Sequence, residues 1–343
     1  MLIMSQDSLP ADRLIVAIDQ RREAVLDVIR QARQRITLSL FRCTDEEVFA
    51  ELAAAVRRGV AVEVLVTSRA KGGKKKLAKL WSTLERTGAS VKPYTDPVVK
   101  YHAKYLVADD GPALVTSLNF TKKCFRKTCD AIVLTYDPAV ISGLQQLMEA
   151  DCSRLPLPSN ISERLIIGPE RARRQFTALI ENARSSIRVI DAKLSDPDLV
   201  AMLNEKRARG LAVELFSSKR LGELKSHGKI MLIDDEKVVV GSLALAALSL
   251  DFRREVAIVV DEPSAVAEAA ELFRGLAAAA ADARAAAAGG DSLGSSTPRC
   301  ATDPFSASTD RQNFRRTPIR RTRAPSACPG GSCTGTASGS PDT

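Results

Sequence analysis

Only two histidines occur in the 343 residues, and each opens the same phrase: His102-Ala103-Lys104 followed by Asp109, and His227-Gly228-Lys229 followed by Asp234. Overlaying the phrases at a shift of 125 positions also puts Ser117 on Ser242 and Asp130 on Glu255. Five chemically matched positions in one register imply an internal duplication. Upstream, residues 36–40 (ITLSL) and 58–65 (RGVAVEVL) match residues 187–190 (IRVI) and 209–215 (RGLAVEL) at a shift of 151. The two shifts differ by 26, so the first copy carries an insert of that size before its histidine, including residues 71–88.

In an extended strand, residues i and i+2 share a face, so the imidazole and ammonium of each His-x-Lys point into one site, with Tyr105 and Val107 opposite. A nitrogen nucleophile beside a fixed cation suits attack on an anionic phosphodiester. The lysine offsets charge on the non-bridging oxygens while the imidazole approaches phosphorus. Two copies supply both sides of such a reaction.

These residues resemble the phospholipase D superfamily, whose signature His-x-Lys-x4-Asp is met by His102, Lys104 and Asp109 and again by His227, Lys229 and Asp234. The signature continues as Gly-Ser-x-Asn. Here the first copy reads Thr116-Ser117-Leu118-Asn119 and the second Gly241-Ser242-Leu243-Ala244, so each departs once. The resemblance implies a two-step displacement through a phosphohistidine, needing neither metal nor cofactor, with His102 as nucleophile and His227 as general acid and base. It also implies that Lys104, Lys229, Ser117, Asn119 and Ser242 contact phosphate. Ala244 lacks the amide that would do so and suggests unequal halves. Asp130 and Glu255 are expected behind the imidazoles, accepting a proton from the far ring nitrogen and fixing tautomer and orientation. Asp109 and Asp234 are assigned to the same supporting set, with the anchoring of the following turns as the other reading. An imidazole titrates near ~6.5, and one ring must be neutral while its partner is charged, so a bell-shaped pH profile is expected.

Apolar strands at residues 60–66, 131–136, 237–240 and 256–260 alternate with amphipathic helices at 46–58, 74–86 and 198–209, which reads as α/β. The resemblance sharpens this to two α/β/α sandwich repeats, each with a mixed central sheet, related by pseudo-twofold symmetry with the site between them. The repeats are placed at residues 1–155 and 156–288. From residue 289 onward the chain is rich in Gly, Ser, Thr and Pro, with seven arginines against four aspartates, and is read as a disordered basic tail. Residues 277–288 are alanine-rich and extend the last helix.

The formal net charge of +9 favours anionic partners without choosing among them. Lys71, Lys74, Lys75, Lys76 and Lys79 read either as a rim for phosphates or as a solvated helix face. Seven cysteines at irregular spacing, with no Cys-x-x-Cys, argue for reduced thiols rather than a zinc site or disulfide frame. Cys43, Cys124 and Cys129 fall near the expected site, and ordinary packing explains them best. No signal-peptide pattern or membrane span is seen, so a cytoplasmic monomer with an internal pseudo-dimer and no stable protein partner is expected. The leading function is headgroup hydrolysis or transfer on a glycerophospholipid, of which cardiolipin synthase chemistry is the transfer form, with peripheral contact to an anionic membrane. A metal-independent nuclease of the same superfamily and a catalytically weak phosphate-binding or nucleic-acid-binding protein are the alternatives.

Overall fold

The computed structural model describes residues 11–69 and 73–290, with side chains to residue 282, and these lie in one compact unit. Lys71 and the tail from residue 291 lie outside the described residues. In chain order the first copy runs β1 (Asp12–Ile15), α1 (Gln20–Gln31), β2 (Arg35–Leu40), α2 (Glu46–Arg57), β3 (Ala61–Thr67), α3 (Lys74–Glu85), β4 (Ser90–Tyr94), β5 (Lys100–Tyr101), β6 (Tyr105–Ala108), β7 (Ala113–Thr116), α4 (Lys122–Arg126), β8 (Thr128–Cys129), β9 (Ile132–Thr135) and α5 (Pro138–Ser153). The second runs β10 (Leu165–Gly168), α6 (Ala172–Glu181), β11 (Ser186–Ile190), α7 (Pro197–Ala208), β12 (Ala212–Phe216), β13 (Arg220–Leu221), β14 (Leu224–Ser226), β15 (Ile230–Ile233), β16 (Lys237–Gly241), α8 (Ala247–Phe252), β17 (Arg253–Val260) and α9 (Pro263–Gly290).

The fold is mixed α/β, and its two sheets repeat one another. The first has the strand order β1-β9-β7-β6-β2-β3-β4 and the second β10-β17-β16-β15-β11-β12. In both, the pairings are antiparallel up to the β2 or β11 position, whose outer neighbour is parallel. The sequence insert supplies α3 and the extra edge strand β4, and Lys74, Lys75, Lys76 and Lys79 lie exposed on α3, as a solvated helix face requires.

The duplication extends to helix ends. Asp45 caps α2 and pairs with Arg22 at 2.9 Å; Asp196 caps α7 and pairs with Arg173 at 2.7 Å. Each carboxylate satisfies N–H groups that the first helical turn leaves without partners. Both pairs obey the same shift of 151.

Helices α1, α2 and α3 cover one face of the first sheet through Leu26, Leu52 and Leu84, and α6 and α7 cover the second through Phe176 and Leu203. The other faces share a single core in which Tyr105, Val115 and Val133 join Ile167, Val240 and Ile258, with α5 and α9 packed against it. Burial of a large aliphatic side chain is worth about 1.5–3 kcal/mol, so this common core, rather than the surface ion pairs, holds the two sheets together. No helix among the described residues is long and apolar enough to cross a membrane.

Candidate active site

Two short strands leave their own sheets and cross. β5 pairs in parallel with β17, Lys100 opposite Arg253, and the His102 N–H donates to the Arg254 carbonyl at 2.9 Å. β14 pairs in parallel with β8, Lys225 opposite Thr128, and the Gly228 N–H donates to the Cys129 carbonyl at 2.7 Å. The exchanges superpose at the shift of 125 that aligns the histidine phrases. Each histidine is thereby delivered to the carboxylate of the other copy. His227 Nδ1 lies 2.9 Å from Asp130 Oδ1, and His102 Nδ1 lies 2.6 Å from Glu255 Oε1.

The crossing explains why the second phrase carries glycine. A Cβ at Gly228 would stand 2.5 Å from the Cys129 carbonyl oxygen, whereas Ala103 is accommodated and fully buried at the matching position. Gly228→Ala is therefore expected to push β14 off β8 and lengthen the His227–Asp130 contact. It should cost about 1–3 kcal/mol of stability through overpacking. Thermal unfolding and turnover of the variant check this, and full activity at an unchanged melting temperature would contradict it.

Asp130 is fully buried and accepts from His227, from Ser117 Oγ at 2.7 Å and from Thr128 Oγ1 at 2.5 Å. Burial raises its pKa, but these hydrogen bonds and the adjacent imidazole outweigh that and leave it below the ordinary carboxylate value. Arg21, also buried, stands behind it and donates to the Thr128 carbonyl at 2.7 Å and the Val16 carbonyl at 2.6 Å. The counterpart of Arg21 at the shift of 151 is Ala172, and the arginine near Glu255 is instead the half-buried Arg253, whose Nη1 lies 3.7 Å from Oε1. Glu255 accepts from Ser249 through Oε2, and burial raises its pKa against the pull of Lys104.

The two imidazoles consequently differ. His102 is held neutral, first by burial and then by Lys104, Lys229, Arg253 and Lys193. Its ring lies against Phe41 with centroids 4.4 Å apart, and Lys104 Nζ stands 3.1 Å from Nδ1 and 2.8 Å from the His102 carbonyl. Burial lowers Lys104 to about 7. His227 faces an ionised carboxylate, and Lys229 donates to the His227 carbonyl.

Of the residues singled out by pattern, His102, Lys104, His227, Lys229, Asp130 and Glu255 come together here. Asp109 and Asp234 do not, which corrects their assignment to the supporting set. Asp109 accepts the N–H groups of Arg33, Gln34 and Arg35, and Asp234 those of Arg184, Ser185 and Ser186. β6 and β15 carry them away from the lysines by about 16 Å at ~3.3 Å per residue. They anchor turns.

Ser117 and Ser242 are also corrected as phosphate contacts. Both are buried; Ser117 Oγ donates to Asp130 and accepts from the Ala131 N–H, while Ser242 Oγ bonds the carbonyl and N–H of Val256, the residue matching Ala131. Asn119 differs: its buried Oδ1 has no partner among the described residues. Arg21, Thr128, Ser249, Phe41, Lys193 and Arg253 were missed. Only Lys193 left a signal in the sequence, since the shift of 151 places it on Arg42.

Burial pushes Cys43 and Cys129 up to about 12. Cys124 Sγ, an Asp130 oxygen and a His227 nitrogen lie within 4.8 Å of one another, but Asp130 and His227 are already bonded together.

The family model described as "Cardiolipin synthase, PLD-like domain" matches residues 25–152. Cardiolipin synthase A of Pseudomonas entomophila is 30% identical over 127 residues, 37% of this chain and 26% of that protein. The Pseudomonas aeruginosa protein of the same name is 31% identical over the same length. The chain thus spans about a quarter of the length of these relatives. Among solved structures, a polyphosphate kinase from Porphyromonas gingivalis superposes with a TM-score of 0.63 at 20% identity, covering 77% of this chain and 46% of that one. Phosphatidylserine synthase of Haemophilus influenzae gives 0.58 at 12% identity, covering 78% and 86%. At such identities these two similarities speak for the fold alone.

Proposed function

We propose, for a chain that belongs to the phospholipase D superfamily, that this protein is a phosphodiesterase acting on glycerophospholipids, hydrolysing or transferring the headgroup. The observation that carries the reading is the crossed pair of imidazole–carboxylate contacts, which puts a buried, neutral His102 and a carboxylate-bonded His227 in a single lysine-rich site.

In this reading His102 attacks phosphorus and the phosphorus–oxygen bond to the headgroup breaks, leaving the phosphatidyl group on the imidazole. His227 gives its proton to the departing oxygen, then takes one from water or an alcohol that attacks the phosphohistidine and releases His102. Lys104, Lys229 and the Asn119 amide hold the non-bridging oxygens, and Asp130 and Glu255 orient the rings. The matched family model, described by cardiolipin synthase, supports the lipid reading over a nuclease.

The test is turnover of phosphatidylglycerol and phosphatidylcholine vesicles beside duplex and single-stranded DNA, in chelator, with His102→Ala as control. Lipid turnover lost in the variant supports the reading. DNA cleavage lost in the variant, with lipids untouched, replaces it by the nuclease.

The pH dependence follows from the burial of Lys104. Above about 7 its ammonium loses its proton in the free protein. It then no longer offsets phosphate charge, so kcat/KM should fall on the alkaline side from there. Bound phosphate favours the charged lysine, so the alkaline limb of kcat should lie higher than that of kcat/KM. In Lys104→Arg the limb due to this group should disappear. A flat kcat/KM between pH 5 and 9 in the parent protein would contradict the assignment.

A further inference from the structure

Between Asn119 and Asp130 the chain forms α4, and between Ala244 and Glu255 it forms α8, at matching positions under the shift of 125. Because Asp130 and Glu255 lie against the two imidazoles, both helices flank the same site. Their outer faces differ. α4 and the residue after it expose Lys122, Lys123, Arg126 and Lys127, none of which makes a side-chain hydrogen bond or ion pair among the described residues. At the positions of Lys123 and Lys127, α8 carries Leu248, 44% exposed, and Phe252, 51% exposed, one turn apart on a common face.

A third apolar group joins them. The parallel register of β5 with β17, Lys100 opposite Arg253, brings Val98, 68% exposed, alongside the end of α8. Of the five large apolar side chains exposed among the described residues, three lie on α8, which leads to Glu255, or four positions before His102. Apolar groups grouped at one edge of a site, with unpaired cations at the other, are the two ingredients of attachment to an anionic bilayer.

We propose that α4, α8 and the Val98 turn form a membrane-docking face. Leu248, Phe252 and Val98 enter the boundary between headgroups and acyl chains, while the four cations of α4 meet anionic headgroups, presenting the site to lipid. The inference rests on the lipid reading above. It favours a bilayer over nucleic acid because only Phe252 of the three apolar groups offers a ring, too few for a stacking platform of successive bases.

The test is co-sedimentation of the full chain, carrying His102→Ala to prevent turnover, with phosphatidylcholine vesicles with and without phosphatidylglycerol. Binding should require phosphatidylglycerol. Leu248→Gln with Phe252→Gln should weaken it by about tenfold or more, and each of Lys122→Gln and Lys123→Gln by roughly fivefold at low salt. With His102 intact, the same substitutions should leave the melting temperature and the hydrolysis of monomeric dibutyroyl phosphatidylglycerol unchanged. Equal vesicle binding by the Leu248/Phe252 double variant overturns the proposal. So do Lys122 and Lys123 variants that lose duplex DNA but keep vesicles. Vesicle binding that follows this pattern, in a protein that hydrolyses no monomeric lipid, keeps the docking face and removes the lipid-hydrolysis reading.

Discussion

His102→Ala is expected to lower turnover by about 10⁴-fold or more and to abolish covalent labelling, because the attacking nitrogen is lost and the remaining groups only position phosphate. His227→Ala should behave differently. With p-nitrophenol as leaving group, no proton is needed for departure, so phosphorus can still pass to His102. The second half-reaction lacks its base and slows by about 10²–10⁴-fold. Phosphoprotein should therefore accumulate in His227→Ala and be absent from His102→Ala, read by intact-protein mass spectrometry after alkaline quench. The neutral state of His102, enforced by burial and four surrounding cations, is the basis for this order. Labelling in His102→Ala with none in His227→Ala would reverse the roles.

The chemical groups of the site are legible in the sequence because two scarce histidines keep their distances to lysine, serine and carboxylate across both copies. The α/β class is legible for a similar reason: short apolar runs separated by amphipathic helices recur in one sequence. The exchange of β5 and β14 between the copies is not. Strand pairs joining residues 97 and 153 positions apart leave no local periodicity to read.

Asp109 and Asp234 mislead for a geometric reason. Four residues of strand separate them from the lysines, and an extended chain turns that short sequence distance into a long spatial one. Ser117 and Ser242 mislead otherwise. Their burial commits both hydroxyls within the fold: each bonds the backbone of a matched residue, Ala131 or Val256, and Ser117 bonds Asp130 in addition. Arg21 had no signal, since one arginine on an amphipathic helix reads as solvated until the fold buries it.

That hidden arginine sets the second large expectation. Asp130→Ala would leave Arg21 buried without its opposing charge and remove the acceptor of Ser117, Thr128 and His227. Leaving a buried guanidinium and three hydrogen-bonding side chains without this carboxylate costs about 3–5 kcal/mol, a fall in melting temperature on the order of 10 °C for a unit of this size. Turnover should drop as well, because His227 loses the contact that fixes its tautomer, by up to about 10⁴-fold. Glu255→Gln should behave more gently. Burial already favours the protonated form of Glu255, and no buried arginine backs it, so a neutral amide is a close substitute. Arg21→Met added to Asp130→Ala should restore part of the stability and none of the activity, separating charge compensation from catalysis. Equal losses of melting temperature in Asp130→Ala and Glu255→Gln would show that the two carboxylates are supported alike, contrary to the asymmetry of Arg21 and Ala172.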